Sequence, residues 1–164
     1  MKIRGFLLIG VLLASSAAYA QLTSSERRGR QIYLRGISPS GREISGRVGE
    51  IEVPAAAATC GGCHGMRGEG KTEGGVTAGS LTWSNLIKPY GHTHTTGRTH
   101  RPFNESSFIR AVINGVDASN NALLIAMPRY NLSAEDIDWW VQTGLPNVDG
   151  TALQHVQLKL FEAA

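Results

Sequence analysis

The sequence has few cysteines, few aromatic residues and, after its first twenty positions, no long hydrophobic run. Only 2 of its 164 residues are cysteine, so at most one disulfide can form within the chain. No later segment approaches the roughly 20 apolar residues that a membrane span requires. Basic residues do not alternate with stacking aromatics, and we expect no nucleic-acid partner. The length and the apolar fraction fit one soluble globular domain with a modest core.

The N-terminal region has the pattern of a secretory signal peptide. Lys2 and Arg4 precede an apolar run from Phe6 to Ala14, and Ala18-Tyr19-Ala20 supplies the small residues of a cleavage site. We expect residues 1–20 to be removed and the product to be released into the periplasm. A retained membrane anchor is the rival interpretation, but the apolar run is too short for a span.

The two cysteines lie in the segment Cys60-Gly61-Gly62-Cys63-His64. This C-x-x-C-H pattern is typical of covalent c-type haem attachment. Two intervening residues let one turn of backbone present both thiols to one porphyrin edge, where they form thioethers with the vinyl groups. His64 follows at once and is expected to bind the iron from the proximal side, with its other ring nitrogen donating to a backbone carbonyl. The pattern predicts one haem c.

Other uses of this motif fit the sequence less well. A thioredoxin-like dithiol requires a βαβ context, whereas the neighbourhood of Cys60 is rich in glycine and lacks strand-like apolar runs. A structural zinc site requires a second pair of ligands at a similar spacing, which the sequence lacks. Haem attachment is therefore the interpretation that we carry forward.

The sixth iron ligand decides between electron transfer and chemistry on a bound small molecule. Met1 leaves with the signal, and Met66 follows the proximal histidine too closely to reach the opposite face. Met127 precedes Pro128, which disfavours helix there and places the thioether on a loop. We expect Met127 to be the distal ligand, with a gap-filling core methionine as the alternative reading.

Four further histidines are alternative ligands: His92, His94, His100 and His155. The first three fall in the polar segment 91–101, which reads as a long surface loop with solvated histidines. Arg98 or Arg101 could pair with a haem propionate from that loop.

Capping residues and helical spacing predict several helices. The first spans about residues 23–35 and stops at Gly36, a short one covers about 82–88, and another follows the cap residue Asn104. Ser133 and Asp136 cap a last helix that is expected to cross the first.

The order of these parts resembles class I cytochrome c, over about residues 29–144. The resemblance rests on Gly29-x-x-x-Tyr33, CGGCHG, Asn114-Gly115-Val116, the segment 126–133, Glu135-Asp136-Ile137 and Trp139-Trp140. It implies an all-α, small cytochrome c fold with three to five helices around one covalently bound haem. It also implies His/Met ligation by His64 and Met127, in a domain at 21–146 followed by a C-terminal extension at 147–164.

The family resemblance implies an electron carrier rather than an enzyme. Its redox partners would be a periplasmic dehydrogenase or quinol oxidiser as donor and a terminal oxidase or reductase as acceptor. Two alternatives stay open: a haem subunit of a periplasmic dehydrogenase complex, and a peroxidase-type enzyme with an open distal site.

Two departures from the family pattern stand out. The segment at about 37–59 is a long insertion before the haem motif, expected to be an ordered surface structure. The proline whose carbonyl often accepts from the proximal histidine is missing from residues 74–81, so the acceptor for His64 is unassigned.

Overall fold

A computed structural model describes residues 24–142, with side chains described as far as residue 138. The expected signal peptide and the C-terminal extension lie outside the described residues. Within the described part, no helix has the length and apolar character needed to cross a bilayer.

The helices begin and end close to where the sequence signals place them. They are α1 (Ser24–Arg35), α2 (Cys60–His64), α3 (Trp83–Leu86), α4 (Glu105–Asn114) and α5 (Ala134–Gln142), with a short 3-10 turn at Ala55–Ala57. Helix α1 ends because Gly36 adopts a φ of 64°, in the left-handed region that favours glycine. Asn104 and Ser107 form a reciprocal capping box at the start of α4, as the cap signal predicted.

Seven short strands lie between these helices. They are β1 (Ser45–Val48), β2 (Ile51–Pro54), β3 (Lys71–Glu73), β4 (Val76–Ala78), β5 (His92–Thr93), β6 (Thr99–His100) and β7 (Arg129–Tyr130). Strand β1 is the centre of a three-stranded antiparallel sheet in the order β2-β1-β7. The other four strands form two hairpins, β3-β4 and β5-β6.

The expected all-α class is therefore wrong: the described chain is a mixed α/β structure with several small antiparallel sheets. The insertion at 37–59 is ordered, but it supplies β1 and β2 rather than helix. The polar segment 91–101 is not a structureless loop, because it contains β5 and β6.

Glycine-bearing turns explain why these segments form hairpins. Gly74 and Gly75 both have positive φ, at 57° and 78°, and they alone separate β3 from β4. A two-residue connection with positive φ at both positions matches the right-handed twist of the paired strands. The turn between β1 and β2 also has two residues, and its first residue, Gly49, has a positive φ of 60°. A helix cannot pass through such turns.

The core lies between α1, α4 and the three-stranded sheet. Helix α1 packs against α5, as expected, although Gly144 lies outside the described residues. The buried apolar side chains of this core include Ile32, Tyr33, Ile44, Leu86, Phe103, Phe108, Val112 and Tyr130. A shell of partly buried side chains surrounds them, and that shell includes Cys60 and Met127.

Asp136 ties the insertion to the start of α5. Its carboxylate is 0 % exposed and accepts hydrogen bonds from Ser38 Oγ at 2.5 Å, Ser133 Oγ at 2.7 Å and Arg42 Nη2 at 2.9 Å. Ser133 Oγ in turn accepts from the Asp136 backbone N–H, which completes the predicted cap. Burial raises the pKa of this carboxyl, but the three side-chain donors outweigh it and lower the pKa to about 2.

We predict that Asp136→Asn lowers the free energy of unfolding at pH 7 by about 2 kcal/mol, because the depressed pKa measures how strongly the fold favours the carboxylate. This stabilisation is fully present above the carboxyl's unfolded pKa of about 4 and is lost as the pH falls through about 2. Urea unfolding at several pH values measures it. Glu135→Gln, on the exposed face of α5, is the control. A difference between wild type and Asp136→Asn that persists unchanged at pH 2 would contradict the assignment.

Candidate haem-attachment site

Helix α2 contains both cysteines and His64, and its own sequence gives it little stability. It has five residues, far fewer than an isolated helix needs. Gly61 and Gly62 each cost about 1 kcal/mol of helix propensity relative to alanine. The turn is held from outside its own span: Thr59 Oγ1 accepts from Gly62 N at 3.1 Å as the N-cap.

Glycine at position 61 lets this turn lie close to α1. A Cβ there would be 2.9 Å from Leu34 Cδ2 and 3.3 Å from Tyr33 Cε1. The close packing of α2 on α1 therefore depends on a residue without a side chain. Because Cys60 and Cys63 are three apart on this turn, both thiols belong to one helix face.

His64 has a defined acceptor. Its Nδ1 lies 2.8 Å from the carbonyl oxygen of Gly79. A carbonyl can only accept, so Nδ1 is the donor and Nε2 keeps its lone pair. Burial lowers the pKa of His64, and the bond to Gly79 opposes that shift without reversing it. The imidazole is thus neutral, oriented and has one nitrogen available, which is the state of a metal-binding histidine.

The two thiols differ in their surroundings. Cys63 is exposed, whereas Cys60 is half-buried against the core, and both are free of disulfides. Burial raises the pKa of Cys60 to about 11, so its thiol is protonated at neutral pH. A small apolar pocket adjoins Cys60 between Ile44, Val112 and Tyr130.

Met127 lies in the turn that leads into β7, as its position before Pro128 predicted. Its backbone N–H donates to Leu124 O at 3.0 Å, and its side chain is half-buried at the margin of the core. The guanidinium of Arg129 organises this turn by donating to three of its carbonyls, those of Leu123, Leu124 and Met127. The Met127 loop is therefore held by hydrogen bonds from Arg129, two residues further along the chain.

Gly115 gives Arg129 the space for this brace. Any Cβ at Gly115 would overlap the guanidinium, and the residue is the left-handed C-cap of α4. The C-terminal end of α4 and the Met127 loop are thus in contact through one arginine. Burial lowers the pKa of Arg129, but a guanidinium stays charged at any physiological pH.

The three histidines of the 91–101 segment form a cluster with ring centroids 4.5, 5.2 and 5.8 Å apart. The expectation of solvated histidines is wrong for His100, which is only 9 % exposed. A Cβ on Gly79 would be 3.8 Å from His94 Cε1, so His94 of this cluster lies against the residue whose carbonyl accepts from His64.

Arg98 pairs with protein groups in this structure. It donates to Asp117 Oδ2 at 2.5 Å and to His94 Nε2 at 2.7 Å. Asp117 is fully buried and also accepts from Ser119 and Asn121. Burial raises the pKa of Asp117, but these hydrogen bonds outweigh it and the net shift is downward. The pairing of Arg98 or Arg101 with a haem propionate stays a prediction, and in this structure Arg98 forms an ion pair with the buried carboxylate of Asp117.

The arrangement fits a covalently bound haem. Two free thiols on one helix face and an oriented imidazole with a free Nε2 are the donors that such a group requires. Leu81, Trp83 and Leu123 lie half-buried around the core and offer apolar surface to a large planar ligand. Among the residues that the structure describes, no three His, Cys, Asp or Glu side chains converge as they would to bind an ion directly.

Comparison of the chain with protein-family models, with curated proteins and with solved structures gave no match. The class of protein is therefore argued from the residues of this chain.

The sequence predicts the thiols, His64 and Met127 as site residues but not the groups that hold them in place. The structure adds Gly79, Arg129 and Asp117, the last as the partner of Arg98. Gly79 acts through a backbone carbonyl, which leaves no mark in a sequence. The sequence indicates Gly115 as the end of a helix, but it does not show that the missing side chain leaves room for the Arg129 guanidinium.

We predict that Arg98→Gln raises the pKa of His94 from about 4 by about one unit or more. Burial is the larger cause of the low pKa and is unchanged in the variant. The positive charge of Arg98 also disfavours the His94 imidazolium. Without that charge, the Asp117 carboxylate attracts the imidazolium unopposed. Titration of the His94 Cε1–H signal by NMR measures the change. Arg98→Lys keeps the charge and is expected to leave the pKa low. An unchanged pKa in Arg98→Gln would show that burial alone sets it.

Proposed function

We propose that this protein is a c-type cytochrome that binds one haem c covalently and transfers single electrons between redox partners in the periplasm. The observation that carries the proposal is the geometry of Cys60, Cys63 and His64 on one turn, with His64 Nδ1 bonded to Gly79 O at 2.8 Å and Nε2 left free. The mixed α/β scaffold does not alter this chemistry, because only one helical turn and one carbonyl are needed to present these donors.

Each residue has a distinct role in this proposal. Cys60 and Cys63 hold the porphyrin through thioethers, and His64 binds the iron from the proximal side through Nε2. Gly79 fixes the imidazole plane and increases the basicity of the ligand. Met127 binds from the distal side, which favours a higher reduction potential than a second histidine would give. When bound, the haem supplies a reversible one-electron centre.

The histidine cluster supports Met127 as the distal ligand. His94 lies against Gly79, whose carbonyl accepts from His64, and His94 Nε2 accepts a hydrogen bond from Arg98. His100 donates through Nδ1 to Arg101 O at 2.7 Å and packs on Phe103 within the same cluster. Of the ligand candidates within the described residues, Met127 is the one outside this cluster on a separate, braced loop.

The proposed partners follow from the compartment. Residues 1–20 have the pattern of an export signal, and a periplasmic dehydrogenase or quinol oxidiser would donate electrons that a terminal oxidase or reductase accepts. In this role the protein transforms no substrate of its own.

We predict that Met127→Ala abolishes the sulfur-to-iron charge-transfer band of the oxidised holoprotein and lowers its reduction potential, because the thioether stabilises the reduced iron. The variant should also bind carbon monoxide rapidly. Optical spectroscopy and potentiometry measure these changes.

Met66→Ala is the matched control for this experiment. Met66 lies two residues after His64 and is 66 % exposed, so its loss should leave band and potential unchanged. If the wild-type spectrum lacks the band, or if Met127→Ala retains it, the distal assignment is wrong.

We further predict that replacing both thiols, Cys60→Ala with Cys63→Ala, leaves no haem on the polypeptide after extraction in acidified acetone. Without sulfur nucleophiles no covalent link can form. The haem content of the precipitated chain, measured as the pyridine haemochrome, tests this. Haem that stays with the double variant would contradict the covalent attachment and, with it, the proposed class.

A further inference from the structure

Two buried tyrosines lie at the two ends of helix α2 (Cys60–His64), which we call the haem-attachment turn. Tyr33 on α1 is 2 % exposed, and its hydroxyl donates to Gly65 O at 2.7 Å, directly after His64. Tyr130 on β7 is 6 % exposed, and its hydroxyl donates to Ala58 O, two residues before Cys60. The two hydroxyls thus tether the backbone on both sides of α2.

A hydroxyl at each position has a specific consequence, because phenylalanine would fill the same apolar space. Burying a hydroxyl without a partner is costly, and each of these has found a carbonyl next to α2. Since α2 is short and contains two glycines, it cannot hold its shape alone. The hydrogen bonds from the two tyrosine hydroxyls therefore restrain the backbone of α2, which has little helical stability of its own.

Tyr130 has an additional contact with Cys60. Both residues line the same small apolar pocket; burial raises the pKa of Cys60, and the nearby Tyr130 hydroxyl opposes that shift. Cys63 is exposed and is not among the residues that line this pocket. Tyr130 therefore acts on one of the two thiols, and through its bond to Ala58 it also fixes the backbone from which that thiol projects.

Resting on the proposed haem attachment, we propose that Tyr130 is a positioning residue for thioether formation at Cys60, and that Tyr33 restrains the opposite end of the same turn at Gly65. The register of the sheet sets the Tyr130 tether, since Tyr130 of β7 pairs with Gly46 of β1. A Cβ on Gly46 would be 3.2 Å from Tyr130 Cε1, so the strand leaves the ring little room to move.

The step that Tyr130 assists is balanced without an oxidant. The Sγ of Cys60 forms a bond to the inner carbon of a vinyl group, the S–H bond breaks, and the proton goes to the outer carbon as the double bond becomes single. Only a reduced thiol and the vinyl group are consumed. The tyrosine hydroxyl is unchanged at the end.

The test is the ratio of thioethers at the two cysteines. Tyr130→Phe, Tyr33→Phe and the control Tyr90→Phe, whose side chain is 82 % exposed, are produced with the haem-attachment machinery, and haem-bearing peptides are counted by mass spectrometry. In Tyr130→Phe the fraction linked through Cys60, relative to Cys63, should fall about fivefold, which is the effect of one net hydrogen bond. The pyridine haemochrome band should move to longer wavelength, since one vinyl group stays unsaturated.

The other variants separate positioning from general stability. Tyr33→Phe should lower attachment at both cysteines equally, and Tyr90→Phe should match the wild type. An unchanged Cys60 to Cys63 ratio in Tyr130→Phe, or an equal loss at both, would overturn the proposal because a merely structural tyrosine has no preference between them. A wild-type protein without covalent haem would instead refute the proposed function.

Discussion

The constraint on which the site depends is that the turn carrying Cys60, Cys63 and His64 cannot stabilise itself. Five residues with two adjacent glycines have no helical preference of their own, yet both thiols and the imidazole must keep fixed relative positions. One of these glycines, Gly61, is also what permits α2 to approach α1, since a Cβ there would be 2.9 Å from Leu34 Cδ2. Close approach and intrinsic weakness thus have the same cause, and the restraint comes from neighbouring elements.

The small sheets provide that restraint. Strand β4 ends at Ala78, which places the Gly79 carbonyl 2.8 Å from His64 Nδ1. Strand β7 holds Tyr130 at Ala58, and its partner β1 belongs to the insertion that Asp136 fastens to α5. The strands are thus a framework around the turn that carries Cys60, Cys63 and His64, and the mixed architecture lets this turn be held from several sides.

The sequence made the helices predictable because their stop and cap residues act locally. Asn104, Ser133 and Gly36 each determine the backbone within one turn of themselves. The strands have two to four residues, too few for an alternating pattern to stand out. The Gly74-Gly75 pair was an available hairpin signal, since Thr72, Val76 and Thr77 flank it. The acceptor for His64 could not be read at all, because it is a main-chain atom brought close by tertiary structure.

Electrostatics on the two sides of the site differ in a way that bears on function. Beside Gly79, Arg98 is paired with Asp117, and burial lowers the pKa of His94 to about 4, so neither the ion pair nor His94 changes charge around neutral pH. In the proposed cytochrome, these groups would add no pH-dependent charge near the iron, and the ligands would set its reduction potential. At the Met127 loop, the Arg129 guanidinium donates hydrogen bonds to the backbone carbonyls of Met127 and Leu123. A loop braced in this way favours one ligand held in place over an open position for a small molecule, which supports the proposed role as an electron carrier.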